Sequence, residues 1–385
     1  MIYIKMKYLY SILLIAGILT SCDNKIQVNE EFVSKSIDIN EFMDNFIYKI
    51  DFIPLETSRE SLIGNIIKVI NTDDYFFILH EVGNDKMLSQ YDSSGKFIGH
   101  IGAKGRADNE YLNINDFAVS SNIQKIFIFD SSPKVIVYNY EGKYHSTISI
   151  QEPTLKKLAP FICDSEIMDD GRVVLGFAPN YRSETEFCIS NLCFDTIDVL
   201  SQGNLKMQYG AFIGSRNIIA CNYNNIYALK PLSTTVIMHC EDKQKNICIN
   251  NKIQNEITEL SHNSNFFNDF YPKVLVKPYI RSLFSMGKYC LAHSLMDMYL
   301  FSDNTIVSVD CRDNKNIDFP ILPGAIVWSD RDQIITTTTP QHIKNFLESV
   351  EGNSSLKEQL GNIRNVLNDD SNPILIRYNI KDKEF

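Results

Sequence analysis

Gln90-Tyr-Asp-Ser-Ser-Gly-Lys-Phe97 and Val137-Tyr-Asn-Tyr-Glu-Gly-Lys-Tyr144 are one short phrase written twice. Tyr91 aligns with Tyr138, Gly95 with Gly142 and Lys96 with Lys143, at an offset of 47 residues. Each copy reads as a hairpin. The tyrosine packs on a strand, Asp92 or Asn139 opens the turn, and the glycine supplies the positive φ the turn needs. A repeat of this length matches the ~40–50 residues of one four-stranded propeller blade.

The surrounding sequence keeps the same rhythm. Tyr75-Phe-Phe-Ile-Leu79, Lys125-Ile-Phe-Ile-Phe129, Val135-Ile-Val-Tyr138, Arg172-Val-Val-Leu-Gly-Phe177 and Thr305-Ile-Val-Ser-Val309 are short, β-branched and aromatic, and bounded by Asp, Asn, Gly or Ser. Such runs are the mark of many short antiparallel strands. Helical periodicity is nearly absent before residue 340. There Ile343, Phe346, Leu347 and Val350, and then Leu356, Leu360, Ile363 and Leu367, take helical spacing. The fold expected is all-β: a six-bladed β-propeller over 46–385 with a two-helix insertion at 340–368. The strand after it, from Ile374, is expected to share a blade with the early strand near Ile50–Leu55 and so to close the ring.

Residues 1–21 read as a secretory signal. Lys5 and Lys7 precede the apolar run Ser11 to Leu19, which is too short to span a bilayer comfortably, and Leu19-Thr-Ser-Cys22 has the form of a lipobox. Cys22 is therefore the predicted lipidation site, and residues 22–45 the acylated start and tether. The expected location is the cell envelope, lipid-anchored at the outer membrane on its periplasmic or its surface side. Eight cysteines remain. The even count permits disulfides, but several sit inside apolar runs and suit buried thiols better.

The repeat and its flanks carry a resemblance. Ile101-Gly-Ala-Lys-Gly-Arg-Ala-Asp-Asn-Glu-Tyr111, with Ile126-Phe-Ile-Phe-Asp130 after it, is similar to an NHL-type propeller repeat. Ile53-Pro-Leu-Glu-Thr57, Leu62-Ile-Gly64 and Asn372-Pro-Ile-Leu-Ile-Arg-Tyr378 resemble the six-bladed β-propeller lipoproteins of Bacteroidetes-type bacteria. That resemblance implies a fold and a compartment and no assigned activity. One loop departs from the pattern: Ala107-Asp-Asn-Glu-Tyr111 keeps the usual Glu and Tyr and lacks the usual glycine and proline.

The chain is 385 residues long with 47 acidic and 37 basic residues, a formal charge of −10, which disfavours nucleic acid as a partner. It contains no P-loop, dinucleotide turn, nucleophile elbow or H-E-x-x-H pair. No cofactor is predicted, and an axial zinc or calcium would need ligands assembled from separate blades. A cluster of His80, His145, His239 or His293 at the axis would favour a lyase or hydrolase. The leading expectation is a noncatalytic scaffold that binds a glycan, peptide or envelope protein, with a monomer as its state. A structural partner of an outer-membrane transport or secretion complex is the third reading. The candidate ligand residues are the polar loop positions Arg106, Glu110, Tyr111, Tyr181, Arg182 and Arg281. Arginine suits carboxylate or sulfate, and tyrosine suits stacking on a sugar or peptide.

Overall fold

The computed structural model describes residues 33–178, 183–203, 217–222, 225–230, 233–240, 243–249, 251–263, 279–294, 297–302, 305–311, 326–330, 332–349, 360–361, 363, 368 and 370–381. Cys22, Tyr181 and Arg182 lie outside them. Six antiparallel sheets follow one another along the chain as the blades of a β-propeller. Their innermost strands are Asn65–Asn71, Ile114–Ser120, Ile162–Ile167, Ile219–Asn222, Ser282–Met286 and Ile326–Ser329, in blades 1 to 6.

The two matched phrases fold identically. In blade 1, Tyr91 pairs with Phe97 after a register shift between Gln90 and Tyr91. In blade 2, Tyr138 pairs with Tyr144 after the same shift between Val137 and Tyr138. Asp92 O accepts from Gly95 N at 2.9 Å and Asn139 O from Gly142 N at 3.0 Å. The Asp92 and Asn139 side chains accept from the N–H of Lys96 and Lys143, at 3.0 and 2.8 Å. Gly95 and Gly142 stand at φ +88° and +71°, the left-handed region that their repeat position demands.

The ring closes with strands from both ends of the sequence. Ile47–Pro54 is the outer strand of blade 6 and pairs antiparallel with Ile374–Ile380, Ile50 opposite Tyr378 and Asp51 opposite Arg377. Arg377 Nη2 lies 3.2 Å from Asp51 Oδ2 across that seam. Such closure removes an exposed sheet edge.

Residues 33–45, expected as tether, instead carry structure. Val33–Asp38 adds a parallel fifth strand to blade 5 beside Thr305–Asp310, and helix Ile39–Phe46 leads from it into the closing strand. Asp38 caps the helix by accepting from Glu41 N at 2.8 Å. Ile39, Phe42 and Phe46 fall on one face and bury among Tyr289, Leu291 and Tyr378, which is why this segment docks. Phe46 meets the Tyr289 ring edge-on at 6.0 Å.

Helix Pro340–Ser349 stands in the expected insertion and buries Ile343 and Phe346 in the same cluster. Of the second expected helix, only Leu360, Gly361 and Ile363 are described, and they are helical. Helices also precede residue 340, at Pro153–Leu158 and Asn251–Asn263, against the sequence reading. Ile253 and Ile257 give the latter a narrow apolar stripe in an otherwise polar run, too sparse to announce itself. None of the eight cysteines from Cys163 to Cys311 forms a disulfide. Among the described residues, no helix is long and apolar enough to cross a membrane.

Candidate functional site

Charge sits where an apolar strand pattern should exclude it. Lys68 interrupts Ile66-Ile-Lys-Val-Ile70, Asp116 stands in Ile114-Asn-Asp-Phe-Ala118, and Asp164 in Ile162-Cys-Asp-Ser-Glu166. All three lie on innermost strands, and all three are buried. Lys68 Nζ donates to Asp116 Oδ2 at 2.8 Å, to Asp164 Oδ1 at 3.1 Å and to Ser165 O at 2.9 Å. Ser165 Oγ donates to Asp116 Oδ2 at 2.6 Å, and Asp164 Oδ2 accepts from Ile219 N of blade 4 at 2.9 Å. One lysine and two carboxylates thus stitch four consecutive blades.

The stitching continues around the axis. Leu283 N of blade 5 donates to Asn217 O at 2.6 Å, Ser329 Oγ of blade 6 donates to Ser285 O of blade 5, and Asn71 Nδ2 donates to Gln333 Oε1 of blade 6 at 2.8 Å. Every neighbouring pair of blades is joined by at least one polar bond near the centre. A buried ion cluster of this kind owes its stability to complete pairing, because each desolvated charge is costly alone.

A cavity of about 340 Å³ lies against this network. Blades 1, 2, 3 and 6 line it with the later parts of their innermost strands and the turns that follow, blade 4 contributes Asn217, Ile219 and Cys221, and blade 5 contributes Leu283, Phe284 and Ser285. Glu166, Asp169, Asp330 and Asp332 add carboxylates, and Trp328, the chain's one tryptophan, adds an aromatic wall. The volume falls in the range of small-molecule sites.

Electrostatics inside the cavity follow from burial and crowding. Burial would lower the Lys68 pKa, but Asp116 and Asp164 outweigh it and hold the ammonium charged well above its ordinary range. Burial raises the Asp116 carboxyl, with Asp164's charge acting in the same direction and Lys68 opposing. Glu166 is pushed up to about 8 by burial and by the charge of Asp164, against the pull of Lys68 and of the Cys221 thiol and N–H. Burial and the facing Glu166 push the Cys221 thiol well up, so it is held as a thiol and not as a reactive thiolate.

The loop residues chosen from sequence stand elsewhere. Arg106, Glu110 and Tyr111 precede the innermost strand of blade 2 and Arg281 precedes that of blade 5; none of them lines the cavity. Arg106 is exposed. Glu110 turns its carboxylate onto its own loop, accepting from Ala107 N at 2.9 Å, and occupies the space that a side chain at Gly105 would need. Tyr111 is buried between blades 1 and 2. Lys134 Nζ, Tyr138 Oη and Thr147 Oγ1 pin the loop's carbonyls at Glu110, Asn109 and Asp108. Arg281 stacks over Tyr279 at 5.6 Å.

The histidines proposed for a metal do not meet at the axis. His80 and His293 lie on second strands, His239 on a third and His145 on a fourth. Among the described residues, no three His, Cys, Asp or Glu side chains are grouped to hold a metal ion. Sequence reasoning passed over Lys68, Asp116, Asp164, Glu166, Ser285 and Trp328. A signal for the first three was present: positions 68, 116 and 164 are 48 residues apart, the blade period again.

The family described as domain of unknown function DUF4934 matches residues 24–379. The chain belongs to that family. No functionally curated protein matches it. The crystal structure of an exported protein of Bacteroides fragilis superposes on this DUF4934 chain with a TM-score of 0.64 at 16% identity, over 91% of this chain and 99% of that one. The WD40 repeats of RRP9 superpose with a TM-score of 0.43 at 11% identity, over 86% and 97%. The first likeness shows the propeller fold shared.

Proposed function

We propose that this DUF4934 protein is a noncatalytic binding propeller of the cell envelope, anchored by lipid on Cys22, whose ligand occupies the axial cavity. The carrying observation is that the cavity has a polar, partly buried interior whose lysine and thiol are already engaged. Lys68 gives its three N–H donors to three acceptors, and the Cys221 thiol is held protonated. The signal-like start, the lipobox form and the likeness to lipoprotein propellers support the envelope assignment, as does the exported Bacteroides protein of the same fold. Arg106 and Arg281, at the opposite strand ends, are proposed as contacts for a larger partner on that face.

A second reading, an axial acid–base enzyme, has one observation in its favour. Burial and the charge of Asp164 push the Glu166 carboxyl up to about 8 inside a cavity, and raised carboxyls of this kind are common among catalytic acids and bases. The test is a panel of neutral disaccharides, acidic and basic dipeptides and small amines against the purified full chain. Thermal midpoint and Trp328 emission are both recorded. A ligand that raises the midpoint and moves Trp328 emission supports the axial site. One that raises the midpoint without moving Trp328 places binding elsewhere, and chemical turnover of a panel member replaces the binding reading with the enzymatic one.

A further inference from the structure

We draw no further inference here: the strongest candidate, the axial cavity walled by Glu166, Asp330, Asp332 and Trp328, belongs to the site already described, and beyond its acidic lining nothing among the described residues points to what it holds.

Discussion

Lys68 Nζ and Asp116 Oδ2 lie 2.8 Å apart in the interior of the propeller, each side chain less than one-tenth exposed, and they join blade 1 to blade 2. Removing one partner of such a pair strands the other in a low-dielectric site. Lys68→Met leaves Asp116 and Asp164 facing each other without a cation, and should cost about 3–5 kcal/mol of unfolding free energy. Lys68→Met with Asp116→Asn should regain a substantial part of it, because one uncompensated charge is gone and Ser165 can still bond the amide oxygen. Urea denaturation of the three proteins measures both. A single-variant cost below about 1 kcal/mol, the scale of an exposed ion pair, would mean that water reaches the cluster.

Glu166 makes the opposite kind of contribution. Its folded pKa is raised to about 8 from 4.5, so between those values the folded state holds a proton that the unfolded chain has released. Stability from this group is therefore greatest below pH 4.5 and is lost as pH rises through 8. Glu166→Gln, a mimic of the neutral form, should be stabilised relative to wild type by an amount that grows across this window. A full shift converts at ~1.4 kcal/mol per unit; discounted for the cavity's open side, the gain at pH 8.5 should be about 2 kcal/mol and near zero at pH 5. Thermal melting of both proteins at the two pH values decides it. A gain equal at both would show that Glu166 is not titrating in this range.

The blade repeat was legible because hairpin chemistry is local: Asp92 and Gly95, or Asn139 and Gly142, act within four residues of each other. The closing strand was legible for a related reason, since Ile374–Ile380 is an apolar run with no helix to join. The cavity was not, because its wall comes from six strands spread over some 260 residues of chain, and only closure of the ring brings them together. Loop composition was a poor guide to it. Glu110 and Tyr111 look available in sequence, but the chain consumes one as a backbone acceptor and the other as core. Lys68 within an apolar run was the better clue, for a charge there needs a partner, and the period shows where to look: Asp116 and Asp164.

His80 and His293 should stay neutral far into the acid range. Burial holds both near pKa 4, helped by the charge of His100 at the first and of Arg281 at the second. His80 Nε2 lies 2.7 Å from Ser89 Oγ, which in turn lies 3.0 Å from His100 Nδ1, a chain that ties three strands of blade 1. Because the unfolded chain protonates these residues near 6.5, stability falls as pH drops from about 6.5 to 4, and their share of that loss is complete below 4. Imidazole proton shifts followed by NMR from pH 7 to 3.5 should show both rings titrating near 4. A midpoint near 6.5 for either would show that its pocket is wet.

The lipid anchor proposed at Cys22 has a direct check. Stable attachment without a membrane-crossing helix takes more than one acyl chain, so the thiol is indispensable to it. Cys22→Ala, expressed in the native type of host, should move from the membrane pellet to the soluble fraction and lose labelling by palmitate. A variant that stays in the pellet would assign membrane association to something other than this cysteine.

The two repeat-matched glycines should respond unequally to the same substitution. Both sit at positive φ, which costs an L-residue ~1–2 kcal/mol. At Gly142 a methyl group would meet Gln90 Oε1 at 3.5 Å, ordinary contact, so Gly142→Ala should cost about that strain alone. At Gly95 it would lie 2.3 Å from Pro54 O, the last residue of the closing strand, and 3.1 Å from Ile53 Cγ2. Gly95 O also accepts from Glu56 N at 2.8 Å, so the turn cannot retreat without loosening the chain that leaves blade 6. Gly95→Ala should therefore cost about 1–3 kcal/mol more than Gly142→Ala, the excess being the overpacking penalty. Urea midpoints of the two variants measure the difference. Equal costs would show that the seam between blade 1 and the closing strand gives way freely, and that the tightness of ring closure resides in the Ile47–Pro54 ladder and not in its contact with the repeat.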